Sequence, residues 1–224
     1  MLIHAPTLLF LSLSIFSSPL WAFDVEGKVT LPPSHPKPLV FEVPPDHQMD
    51  CGAQIISPKL KISPEGGVAN AVVKIECGGD ACIALPPASA GGKFVLDQIH
   101  CEFAPHVLLL PKEAPLSILN SEAMLHNVRA FDENTQMLFN IAMPKKGQVL
   151  KKQFNEPGRL IVRCGVHKWM HAIVVVTEHP YYGLTNEEGH FKISGITEGH
   201  YTLSVWHESL CTIKRVAGPE TGFL

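Results

Sequence analysis

The stretch Gly158-Arg-Leu-Ile-Val-Arg163-Cys164-Gly-Val-His167-Lys-Trp-Met170-His-Ala-Ile-Val-Val-Val176 decides how this chain is read. Two runs rich in β-branched residues flank a short loop, which predicts two consecutive strands. The loop carries a thiol, an imidazole and a thioether at the spacing Cys-x-x-His-x-x-Met. Strand alternation puts Cys164 on the same face as Leu160 and Val162, the face expected to point inward. Met170 shares parity with Ala172, Val174 and Val176 on the following strand. The loop therefore closes over a water-poor pocket holding two sulfur ligands and one nitrogen ligand.

Working outward, the rest of the chain reads as all-β. Strands are expected at Val25–Leu31, Val68–Ile75, Lys93–Leu96, Val107–Leu110, Leu116–Leu119, His126–Phe131, Arg159–Arg163 and Ala172–Thr177. Most are short, alternating or β-branched, and bounded by Gly, Pro, Asn or Asp. The continuous apolar runs at 108–110 and 173–176 suggest strands covered on both faces. Residues 32–45 are Pro-rich, and 86–92 read as a linker. In the tail, the strands His190–Ile193 and Tyr201–Trp206 are separated by a turn and read as a hairpin. The expected organisation is a signal peptide at 1–22, an N-terminal β extension at 23–92, a metal-binding unit at 93–178 and a tail at 179–224.

Residues 8–16 form a short apolar core, and Ser17-Ser-Pro-Leu-Trp-Ala22 resembles a cleavage region. The expectation is a periplasmic or secreted protein cleaved near Ala22, with no membrane span because the run is too short. A net charge of −3 argues against nucleic acid as a partner. Six cysteines in an exported chain imply disulfides. The preferred pairs are Cys51–Cys101 and Cys77–Cys82, with Cys211 free; swapped pairs are the alternative.

The donor set narrows the metal. An ion that cycles between Cu(I) and Cu(II) needs soft sulfur for one state and imidazole for the other, and a trigonal His₂Cys site with a distant Met serves both. Zinc fits poorly, because Met is not a usual zinc ligand. A Cys-His nucleophile would need an oxyanion hole that nothing in the sequence announces. The second imidazole is expected from Asn120-Ser-Glu-Ala-Met-Leu-His126-Asn-Val.

Three pieces of the chain, spanning about residues 93–178, resemble the cupredoxin family, the blue copper fold of plastocyanin, azurin and amicyanin: residues 103–120, His126-Asn-Val and the stretch quoted above. The short ligand spacings are most similar to amicyanin. The resemblance implies a Greek-key β-sandwich of cupredoxin type, here with extra N-terminal strands and a C-terminal β-hairpin module. It implies one copper ion held by His126, Cys164 and His167, with Met170 as axial ligand and Asn127 tying the first-ligand strand to the loop. It further implies an electron carrier that is not an enzyme, with redox proteins as partners and the ring edge of His167 as electron exit. Residues 185–206, with the pattern T-x-x-x-G-x-F-x-I-x-G-I-x-x-G-x-Y, resemble the end of carboxypeptidase-regulatory-like β-sandwich modules. The combination resembles exported methylamine-utilisation-type proteins.

Two other readings stay open: copper storage or delivery, and a structural or carbohydrate-binding β-sandwich without metal. His106 reads as a strand histidine or as part of a second metal site. His171 is expected to face solvent, His179 and His207 to be structural, and Trp169 and Trp206 to be packing residues. Lys145, Lys146, Lys151 and Lys152 form a basic patch, read as a solvated turn or as a docking surface.

Overall fold

A computed structural model of the chain describes residues 22–32, 37–76, 92–197, 201–210 and 212–217. The N-terminal part holds β1 (Ala22–Lys28), β2 (Val40–Glu42), a one-turn helix α1 (Gln48–Cys51), β3 (Gln54–Ile56) and β4 (Val72–Glu76). The central part holds β5 (Phe94–Ile99), β6 (Glu102–Ala104), β7 (Val107–Pro111), β8 (Leu116–Asn120) and β9 (His126–Phe131). It continues through β10 (Met137–Met143), β11 (Gln148–Lys152), β12 (Gly158–Arg163) and β13 (His171–Thr177). The tail adds β14 (Tyr182–Leu184), β15 (His190–Thr197), β16 (Tyr201–Trp206) and β17 (Ile213–Ala217).

The central strands make two sheets, β10-β9-β12-β13-β7 and β11-β8-β5-β6. Their inner faces share one apolar core that includes Leu96, Leu110, Leu116, Ile118, Val128, Leu160, Val162 and Val174. The alternation along β12 is what puts Leu160, Val162 and then Cys164 into this core. On β13, Ala172, Val174 and Val176 face the same way, and Met170 joins them. This is the all-β sandwich expected from the sequence.

The other face of β13 is buried too. Ile173 and Val175 pack with Val72, Tyr182, Leu184 and Trp206 from a third sheet, β14-β4-β16-β17. That second cover explains the unbroken apolar run of β13, all seven residues of which are buried. Each Val or Ile so covered contributes about 1.5–3 kcal/mol relative to exposure.

The partners of the tail differ from the expected hairpin. β15 pairs with β1, and β16 pairs with β4 and β17, so the tail's hairpin is β16–β17. The reason is a shared core: Val25 from β1 and Val73 and Ile75 from β4 pack with Tyr181, Phe191, Ile193, Ile196 and Leu203. β1 and β4 thus complete the tail, whereas β2 and β3 pair with each other and set Phe41 and Ile55 against the central core. Strand patterns identify strands, but they do not identify partners more than a hundred residues away. Strands β10 and β11 were not anticipated. They are half exposed along their length, so no clean apolar alternation marks them.

Cys51 and Cys101 form a disulfide, as expected. It fastens α1 to the turn after β5. Cys77, Cys82, Cys211, the proposed signal peptide up to residue 21 and most of the linker lie outside the described residues. Among the described residues, no helix is long and apolar enough to cross a membrane.

Candidate metal centre

The 164–170 loop is closed by its own backbone. Cys164 N–H donates to the Met170 carbonyl at 3.0 Å, and Met170 N–H donates to the His167 carbonyl at 3.0 Å. His167 N–H points at Cys164 Sγ from 3.4 Å, a donor that favours the thiolate. Gly165 has a steric reason to be glycine. A Cβ there would stand 2.9 Å from Asn127 Oδ1 and 3.2 Å from Arg129 Cδ. Its N–H instead donates to Asn127 Oδ1 at 3.1 Å, which joins β9 to the loop. Asn127 in turn donates through Nδ2 to Asn140 Oδ1 at 2.6 Å.

β9 delivers the second imidazole. Its pairing with β12 sets Arg129 opposite Arg163, so His126 lies beyond the end of that ladder, beside the loop. His126 Nδ1 is 3.1 Å from His167 Nδ1, which is 3.8 Å from Cys164 Sγ. His126, Cys164 and His167 are all buried, and their three candidate ligand atoms lie within 4.8 Å of one another, an arrangement that can hold a metal ion. Met170 is 1 % exposed and belongs to the same core as Cys164.

The electrostatics suit a thiolate. Burial alone would push the Cys164 thiol up, but hydrogen bonds from His126 and His167 outweigh it and bring it down to about 5. For His126, burial works against the charged form, and the contacts with Cys164 and Glu122 still raise it.

Sequence reading missed Glu122. Its Oε2 accepts from His126 Nε2 at 2.7 Å, and its carboxylate also accepts the Cys101 N–H. With Nε2–H committed to Glu122, the neutral ring turns the Nδ1 lone pair toward Cys164 and His167. A carboxylate four residues before the histidine was the available signal. Asn120 shapes this turn by donating to the Met124 and Met143 carbonyls and accepting from Glu122 N–H.

Two expectations are overturned. The ring edge of His167 is no exit to solvent, because His167 is 1 % exposed and its Nε2 is buried without a hydrogen-bond partner. The ring of His47, beside α1, crosses it edge-on at 4.8 Å, and Trp169 lies at 5.3 Å. The N-terminal segment therefore roofs the loop, held there by the Cys51–Cys101 bond. His171 does not face solvent either; it is buried at the start of β13.

His106 is not brought to the Cys164 cluster. It sits just before β7 with His171 and Glu208, and these three form a second group whose ligand atoms lie within 4.8 Å of one another. Trp169 packs in the main core and donates Nε1–H to the Cys101 carbonyl at 3.0 Å. His179 and His207 are buried near the tail and belong to neither cluster. Lys145 and Lys146 are exposed in the turn after Met143, the residue opposite His126 in the β9–β10 ladder. Lys152 lies over the Phe139 ring at 4.3 Å.

No family model matches this chain, and no curated protein matches it. Solved structures of copper proteins do. A purple cupredoxin from Nitrosopumilus maritimus is 21% identical over 38% of this chain and 100% of its own, with a TM-score of 0.35. Amicyanin from Paracoccus versutus is 20% identical over 47% of this chain and 97% of its own, also at 0.35. A copper-containing nitrite reductase from Thermus scotoductus is 19% identical over 46% of this chain and 27% of its own, at 0.33.

Proposed function

We propose that this chain is an exported type 1 (blue) copper protein that carries single electrons between redox partner proteins and is not an enzyme. The observation that carries the reading is the buried cluster of His126 Nδ1, His167 Nδ1 and Cys164 Sγ, with the thiol already held near 5. Two imidazoles and a thiolate, with a thioether from Met170 as the weak axial ligand, are the donor set that serves both Cu(I) and Cu(II). Copper bound there would supply the one-electron couple. The protein's residues hold the geometry: Glu122 fixes His126, Asn127 fixes the loop, and the apolar core excludes water. The copper-binding unit is residues 93–178, with the N-terminal segment and tail packed around it. The roof over His167 makes His47, whose side chain is 31 % exposed, the outermost ring on the path to solvent. Lys145 and Lys146 supply a basic docking patch for an acidic partner.

One observation favours a storage or delivery role as the second reading, namely the complete burial of His167 beneath the N-terminal segment. The discriminating experiment is stopped-flow mixing of the copper-loaded protein with a small reductant and, separately, with a Cu(I) chelator. A carrier is reduced rapidly and keeps its metal. Slow reduction with ready metal loss would establish the storage reading instead.

A further inference from the structure

The cluster of His106, His171 and Glu208 has the features of a second ligand set. His106 Nδ1 lies 3.2 Å from the His171 carbonyl oxygen, and His171 Nδ1 lies 3.1 Å from the Trp169 carbonyl oxygen. A carbonyl oxygen only accepts, so each Nδ1 must carry its proton and donate. In a neutral ring this leaves the lone pair on Nε2. Both Nε2 atoms face one carboxylate: His106 Nε2 meets Glu208 Oε1, and His171 Nε2 stands 3.4 Å from Glu208 Oε2. That second contact has the distance of an ion pair but not the direction of a hydrogen bond, and His171 Nε2 is buried without a hydrogen-bond partner. Both histidines are buried, and the Glu208 side chain is 10 % exposed.

Three buried acceptors aimed at one point need positive charge between them. A single proton satisfies one ring and leaves the other orphaned. Protons on both rings put two cations beside one carboxylate, with ring centres 4.8 Å apart. One divalent ion satisfies all three. Backbone carbonyls holding the remote N–H of each imidazole are the usual support for histidine ligands.

We infer that His106 Nε2, His171 Nε2 and the Glu208 carboxylate form a second metal site, for a borderline divalent ion of the Zn(II) or Cu(II) class. Two imidazoles and a carboxylate suit such ions better than Cu(I), which prefers sulfur, or Mg(II) and Ca(II), which prefer oxygen alone. Three protein ligands leave a tetrahedral ion one further position. His171 and Glu208 line a cleft together with Lys59, Arg159, Arg163, Lys168 and the single further carboxylate Glu133, and the net positive charge of this lining would favour an anion or hydroxide as the fourth ligand. The site also joins two parts of the fold. His171 follows Met170 directly, whereas Glu208 lies in the turn between β16 and β17 of the tail. An ion here clips the tail to the base of the 164–170 loop.

None of these three ligands belongs to the Cys164 cluster. Zn(II) is titrated by equilibrium dialysis, with elemental analysis, into the disulfide-intact chain after the Cys164 cluster has been loaded with copper. The same titration is run on a Cys164→Ser, His126→Gln variant, so that failure of the first site leaves the second still tested. About one zinc per chain is expected in both, and Glu208→Gln and His106→Gln should each weaken it by at least about tenfold. Absence of zinc binding, or binding that neither substitution weakens, overturns the site. Should the variants fail to fold, nitrogen NMR of the wild-type histidine rings decides. Zinc should move the Nε2 resonances of His106 and His171, and shifts confined to other histidines would refute the assignment.

Discussion

Two histidine clusters meet at the 164–170 loop, and they are built in different ways. In the first, Cys164 and His167 come from the loop itself and His126 comes from the neighbouring strand. In the second, His171 at the start of β13 meets His106, 65 residues earlier, and Glu208 of the tail. The first pairs nitrogen with sulfur in an apolar core. The second pairs nitrogen with oxygen beside a basic cleft. Ligand chemistry thus divides the loop into a soft side suited to a redox ion and a harder side suited to a fixed one.

The largest expected effect tests the packing that both clusters share. Ile173→Asp would bury an unpaired carboxylate between β13 and the third sheet. A loss of about 3 kcal/mol or more of stability is expected, read by urea denaturation at neutral pH. A loss below about 1 kcal/mol would mean that the third sheet does not cover β13.

Next comes pH, which separates the two clusters without any metal. Burial alone would raise the Glu208 carboxyl, but contact with His106 and His171 holds it at about 2, below its ordinary value of 4.5. The ionised form therefore stabilises the metal-free fold above about pH 4.5, and that contribution is lost as pH falls from there through about 2. Denaturant midpoints measured across this window should fall less steeply in Glu208→Gln. Equal slopes would contradict the pairing.

Glu122→Gln is aimed at the soft side alone. Replacing the carboxylate that fixes His126 should weaken copper binding by about 10- to 100-fold, measured by competition with a chelator. Unchanged affinity would show that Glu122 does not orient the ring. The smallest effect is expected from His47→Ala, which opens the roof over His167. Stability should change by less than about 1 kcal/mol while small reductants reach the copper faster. An unchanged rate would place the electron path elsewhere.

The sequence made one cluster far more legible than the other, and the cause is locality. Cys164, His167 and Met170 lie on one loop between two strands whose alternation orients them, so residue type and parity place the candidate ligands. Asn127 could be anticipated only through the resemblance of His126-Asn-Val to a cupredoxin ligand segment. Glu122 could have been found, because a carboxylate four residues before a candidate ligand is a local pattern. The roof of His47 over His167 depends on the Cys51–Cys101 bond carrying a short helix across the sandwich, and no spacing encodes that approach. His171 looked solvent-facing because it stands at a loop edge; His106 and Glu208, both distant in sequence, pack against it. The misplaced hairpin has the same origin, since β4 and β1 compete for the tail's strands through a core assembled from both ends of the chain.

The most direct measurement is the visible spectrum of the purified protein after addition of Cu(II). An intense blue thiolate-to-copper absorption is expected with one equivalent of metal, and it should be absent in Cys164→Ser. A colourless wild-type protein, or colour that survives the substitution, would contradict a copper centre built on Cys164.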